Sequence, residues 1–254
     1  MARIISVHSF RGGTGKSNTV ANVAALLAAG GQRVGVVDTD IQSPGIHVLF
    51  GQHGAELPKT LNDYLWGRST IAEAAYDVTP QSRSAPGKME GIIFLIPSSA
   101  RASEITRVLR EGYDARTLVR GLRELIDQLK LDVLMIDTHP GINEETLLSI
   151  AISHTLAVVM RPDSQDYEGT GITIEVARQL EVPNLMLVVN KAPAVLDHSS
   201  LQAQVEQTYN CPVAAVLPHS DDLMTLASDG LFVNCFPVHP VTALYQQVAD
   251  RFMA

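Results

Sequence analysis

Residues Phe10-Arg11-Gly12-Gly13-Thr14-Gly15-Lys16-Ser17 decide how this chain is read. They follow a short β-branched run, Ile4–Val7, and open a segment with apolar residues at Val20, Val23, Ala24 and Leu27, the spacing of one helix face. A strand, a glycine-rich turn and a helix start are together the setting in which a chain holds phosphates. The glycines let backbone N–H groups close around an anion, and the helix N-terminus adds its partial positive charge. In that setting Lys16 reaches the β- and γ-phosphates of a nucleotide and the Ser17 hydroxyl ligates Mg²⁺, with Asn18 beside them in the first helical turn. Phe10 stands where the general phosphate-loop pattern has its first glycine. The form that fits is a deviant one: a basic residue, here Arg11, followed by Gly-Gly-x-Gly-Lys-Ser/Thr.

Outward from the loop, β-branched and apolar runs recur at Val34–Val37, Ile92–Ile96, Val133–Ile136, Leu156–Met160, Leu185–Val189 and Val213–Leu217. Segments of helical length lie between most of them, among them Ser17–Ala29, Thr117–Leu129, Gly169–Leu180 and Ser199–Tyr209. Continuous apolar strands alternating with helices imply a mostly parallel sheet covered on both faces. The expected fold is therefore an α/β three-layer sandwich of the P-loop NTPase kind. A chain of 254 residues, 46% of them hydrophobic, has enough apolar surface for one core, and a single domain over 1–254 is expected. The stretch from Gly51 to Gly91, with Gly54, Pro58, Pro80, Pro86 and Gly87, reads as an irregular insertion with short helices around Leu61–Trp66 and Ile71–Tyr76.

Carboxylates at the ends of parallel strands face the crevice that holds the loop. The second strand ends in Asp38-Thr39-Asp40, and the run Leu131–Ile136 ends in Asp137, followed by Thr138-His139-Pro140-Gly141. An apolar strand ending in an acid is the Walker B arrangement, which makes Asp137 a candidate for holding Mg²⁺ through water. Two later strands run into Asn190-Lys191-Ala192-Pro193 and Pro218-His219-Ser220-Asp221. Taken singly, Asn190 and Pro218 are ordinary turn residues. Their order after the phosphate loop brings them into the site.

In this order the motifs resemble those of the ParA/MinD family of deviant Walker A ATPases, from Ile4 through the final helix and most weakly between Gly51 and Gly91. The resemblance implies ATP and Mg²⁺ as cofactors, slow hydrolysis stimulated by a protein partner, and an ATP-dependent homodimer. It implies that Arg11 reaches across that dimer to the partner's nucleotide, where the family normally has Lys. Arg keeps the charge and adds a planar fork suited to phosphate. Asp38 would act near the Mg²⁺ shell with Ser17 and Asp137, and Asp40 would orient the attacking water. Asn190 would place its amide on the base edge and Pro218 would pack on the base face. His139 departs from the family, which usually has a small residue or Pro there. The implied role is a molecular switch in the intracellular positioning or partitioning of DNA, a protein complex or a division component. Two other functions share the fold: a metal-cluster carrier, which needs paired thiolates at a dimer axis, and a small-molecule ligase related to dethiobiotin synthetase, which has no need of Arg11 in trans.

Composition limits the partners. The net charge of −8, with a pI near 5.4, repels nucleic acid and anionic lipid unless positive charge is concentrated locally. It is concentrated in Arg101, Arg107, Arg110, Arg116, Arg120 and Arg123, a candidate surface for non-specific DNA. Glu104, Glu111, Asp114 and Glu124 are interspersed, so a solvated helix face with local pairs is the competing reading. The final segment, Val241–Ala254, has one basic residue and reads as a packing helix, without the Lys/Arg-rich face of a membrane-targeting helix. Cys211 and Cys235 form no C-x-x-C, the eight histidines are scattered without zinc-ligand spacing, and the single Trp66 reads as a packing residue. A reducing, cytoplasmic compartment is expected.

Overall fold

Side chains leave a strand alternately to its two faces, and here that alternation builds the layers. The computed structural model describes residues 2–53, 57–80 and 91–254. Its strands are β1 (Arg3–His8), β2 (Arg33–Asp38), β3 (Tyr76–Asp77), β4 (Ile92–Ile96), β5 (Val133–Asp137), β6 (Thr155–Met160), β7 (Asn184–Ala192) and β8 (Val213–Pro218). They form one sheet in the order β3-β4-β2-β5-β1-β6-β7-β8, parallel throughout except for the β3–β4 pair. Ile5, Val7, Val34, Val36 and Met135 point to one face, where the helices Lys16–Ala29 and Pro240–Met253 cover them. Ile4, Val37, Leu134 and Ile136 point to the other, under Leu118, Leu122 and Leu125 of the helix Ala115–Leu129. Farther along that second face, Leu156, Val158 and Leu187 meet the helices Ser164–Gln179 and His198–Tyr209. Each fully buried Leu, Ile or Val contributes roughly 1.5–3 kcal/mol. Continuous apolar strands therefore require helices on both sides, the α/β three-layer arrangement expected from the sequence.

All seven expected strands form, and the insertion adds an eighth. Leu61–Leu65 is helical as expected, with Thr60 and Asp63 closing a capping box. The second expected helix, Ile71–Tyr76, shortens to a 3₁₀ turn at Ala72–Ala74, and the chain then extends as β3 along the edge of β4. Tyr76 is the reason, because its hydroxyl donates to the Lys59 carbonyl and accepts from the Lys59 N–H, which holds the segment extended. Gly54, Pro86 and Gly87 of the expected insertion lie outside the described residues.

Strand order places the functional crevice. From β1 the chain goes to β2 on one side and later to β6 on the other, so the crevice above the C-terminal end of β1 is a topological switch point. The glycine-rich loop leaves β1 there. Phe10, the residue that replaces a glycine of the general pattern, lays its ring on the helix Ser164–Gln179 at Gly169, where any Cβ would collide with it. The C-terminal helix is the expected packing element: Val241, Tyr245, Val248 and Phe252 are all buried. Among the described residues no helix is long and apolar enough to cross a membrane.

Candidate functional site

A helix leaves its first N–H groups unpaired, and most proteins satisfy them with a side chain. Asp114, Asn143, Asp163, Asp197 and Ser220 each do so for a helix of this fold. The helix Lys16–Ala29 is different. Its cap residue is Gly15, at φ 96°, and no side chain accepts from its first turn. The N–H groups at Lys16, Ser17 and Asn18 are therefore available to an anion. Gly15 is also confined from outside, because a Cβ there would run into Nδ2 of Asn190. Backbone angle and close approach together require glycine at this position.

The loop opens onto a cavity of about 590 Å³. Gly12 through Asn18 line one side, Asp40 another, and Asn190 and Pro218 a third, so the two strand-end residues singled out in the sequence do meet the loop. Asn190 also supports the loop directly: its Nδ2 donates to the Thr14 carbonyl at 2.7 Å, while its Oδ1 accepts from the Lys191 N–H. One amide hydrogen is left for a ligand. Sequence reasoning missed Lys191, whose Nζ donates to the Gly13 carbonyl at 2.8 Å, and Tyr245, which reaches the cavity from the C-terminal helix. Arg11 is half-buried and does not line the cavity of its own chain.

Under the loop lie the two buried acids, paired in register at the ends of β2 and β5. Lys16 Nζ sits 3.3 Å from Asp137 Oδ1, and the Ser17 hydroxyl lies beside the same carboxyl. Burial raises the Asp137 carboxyl above its ordinary range, against the pull of Lys16 and Ser17. Burial likewise holds Asp38 well above that range, and the charges of Asp137 and Asp40 push it further. Asp38 accepts from the N–H groups of Asp40 and Gly45, so it also shapes the loop after β2. Two buried carboxyls in register, only one of them paired with an ammonium, have their charged forms disfavoured by burial, and a cation beside them and the serine hydroxyl would offset that cost. That set of hard oxygen donors fits Mg²⁺.

His8, just before the loop, is fully buried and stays neutral. Its Nδ1 donates to the Thr138 hydroxyl at 2.8 Å, which in turn donates to the Val7 carbonyl. Burial foremost, then the nearby Lys16 and His139, lowers its pKa from the ordinary 6.5 to about 3. The stability this group contributes is thus complete above pH 6.5 and is lost as pH falls toward 3, with a full size on the order of 5 kcal/mol. Melting temperatures measured without ligand from pH 7.5 to 4 should fall less steeply for His8→Asn than for the wild-type chain. Parallel slopes would contradict a buried neutral imidazole.

The arginines are only partly free. Arg107 stacks on Trp66, 3.9 Å from the ring centre, and pairs with Glu111, while Arg120 pairs with Glu124. Trp66 is the packing residue expected, with a cation on its face. Arg101, Arg110, Arg116 and Arg123 are exposed.

The family model for ParA, described as NUBPL iron-transfer P-loop NTPase, matches residues 1–253. The chain belongs to this family. It is 27% identical over its whole length to an uncharacterized ATP-binding protein of Methanocaldococcus jannaschii, 88% of which is covered. The septum site-determining protein MinD of Thermotoga maritima is 23% identical over 99% of this chain and 88% of its own. An iron-sulfur cluster carrier protein of Pseudomonas fragi is 27% identical over 97% and 83%. Among solved structures, MinD of Pyrococcus horikoshii complexed with Mg-ADP superimposes with a TM-score of 0.78 at 20% identity, covering 99% of this chain and 96% of that one. The chain is thus a ParA/MinD-family P-loop NTPase with the fold of MinD.

Proposed function

We propose that the chain is a Mg-ATP-dependent dimerising ATPase of the ParA/MinD type, a switch in the positioning or partitioning of DNA, a protein complex or a division component. The observation that carries this reading is the uncapped helix start at Lys16–Asn18 placed over Asp38 and Asp137, with Asp40 at the edge of the same cavity. In this reading Gly12, Gly13, Thr14 and Gly15 give backbone N–H groups to the phosphates. Lys16 gives a charge, and Asn190 and Pro218 bound the base. Ser17, Asp38 and Asp137 would hold Mg²⁺, which when bound neutralises charge on the phosphate oxygens. Asp40 accepts a hydrogen bond from the attacking water and so orients it; hydrolysis needs little more than such placement and charge stabilisation. Arg11, which does not line its own cavity, is the group that completes a second copy's site. An activating protein partner acts on the assembled dimer. Exposed Arg110, Arg116 and Arg123 are the groups that non-specific DNA would meet.

Relatives named iron-sulfur cluster carriers favour a second reading, and the cysteines weigh against it. Only Cys235 is exposed; Cys211 is buried, with its thiol pushed up to about 11 by burial, which disfavours the thiolate a cluster needs. Phosphate release and iron content on the same purified protein separate the readings. Mg²⁺-dependent release from ATP without stoichiometric iron is expected. Iron retained at about one cluster per two chains, without turnover, would overturn the switch reading in favour of the carrier.

A further inference from the structure

An aspartate on a loop turns freely about two side-chain bonds, yet a group that orients a water must stand within a fraction of an ångström of its working position. Asp40 lies on the loop after β2, outside any helix or strand. Its carboxylate is nevertheless held. Nδ1 of His139 lies 2.6 Å from Asp40 Oδ1, and the Ser43 N–H donates to the same oxygen at 3.1 Å. A carboxylate has no proton to give, so the shared hydrogen is on Nδ1 of the imidazole. Among the described residues neither donor uses Oδ2, so one oxygen is anchored and the other is left for a water. Both side chains are mostly shielded, with 24% of His139 and 14% of Asp40 exposed, which keeps bulk water from competing for the bond.

The tie also spans the site. Asp40 follows β2 and His139 follows β5, the two strands whose ends carry the buried acids. His139 is backed by Tyr113 and Glu145, which share its small cleft, so the ring is packed between elements instead of swinging in solvent. A small residue or proline at position 139 offers no such donor.

We propose that His139 is a positioning residue for hydrolysis, which fixes the Asp40 carboxylate through Nδ1 and ties the loop after β2 to the loop after β5. The inference rests on the reading of Asp40 as the water-orienting group. Turnover and ATP affinity measured for wild type, His139→Ala, His139→Asn, Asp40→Ala and the Ala/Ala double variant test both steps separately. His139→Ala should lower kcat roughly 10- to 100-fold while ATP affinity stays within about threefold, because the phosphate loop is untouched. His139→Asn, whose amide nitrogen reaches the place of Nδ1, should recover most of the loss. In the Asp40→Ala background the histidine change should cost nothing further.

If Asp40→Ala is slow while His139→Ala turns over at the wild-type rate, the positioning role is wrong and the reading of Asp40 stands. If Asp40→Ala itself turns over normally, that reading fails and the inference fails with it. A loss at His139→Ala that Asn does not restore, or that adds fully to Asp40→Ala, overturns the inference by placing the effect of the histidine elsewhere. Retained ATP affinity identifies the variants as folded.

Discussion

Lys16→Ala should bind ATP at least about 100-fold more weakly than the wild-type chain, as read by calorimetry at neutral pH. The side chain is buried and meets Asp137 at 3.3 Å, so truncation removes more than one contact to phosphate. It also leaves a buried carboxylate without its counter-ion, in a place where burial already raises the carboxyl and Asp40 raises it further. Breaking a buried pair by removing one partner typically costs about 3–5 kcal/mol. Some of that cost appears in the apo protein and some in the lost attraction to the γ-phosphate. Affinity unchanged from wild type would mean that the loop does not hold phosphates.

Much of this was legible in the sequence because its signals are local. Seven apolar runs became seven strands, and the loop, Asp38, Asp40 and Asp137 converged because a parallel sheet brings the ends of its strands to one edge. What was not legible depends on residues far apart in the chain. β3 hides in a two-residue stretch whose extended form is fixed by Tyr76 reaching back to Lys59. Lys191 supports a loop 178 positions earlier, and His139 meets Asp40 across 99. Periodicity cannot show such pairings. The departure at His139 was visible as a bulky polar residue at a place where the family has small ones, but its partner was not. For Arg11 the charge was legible. An interaction with another copy, as proposed for it, would be a property of an assembly, and neither pattern nor burial within one chain reveals it.

Asp40→Ala should bind Mg-ATP normally and hydrolyse it about 100-fold or more slowly, because on the proposed reading the change removes the water-orienting carboxylate and spares the phosphate cradle. The consequence for assembly is the larger effect. If each γ-phosphate adds an interaction with Arg11 of a second copy, ATP favours the dimer, since a ligand that binds one state better shifts the population toward it. A variant that keeps its ATP should then accumulate in the dimeric state. Arg11→Ala should show the converse: ATP held through Lys16 and the loop amides, with no dimer formed.

Light scattering on wild type and Asp40→Ala, with Mg-ATP, with ADP and without nucleotide, tests the switch most directly. The account predicts a mass near 27.4 kDa without nucleotide and with ADP, and twice that in Mg-ATP, with the doubled species persisting in Asp40→Ala after wild type has returned to the single-chain mass. Both proteins remaining near 27.4 kDa in saturating Mg-ATP would contradict it.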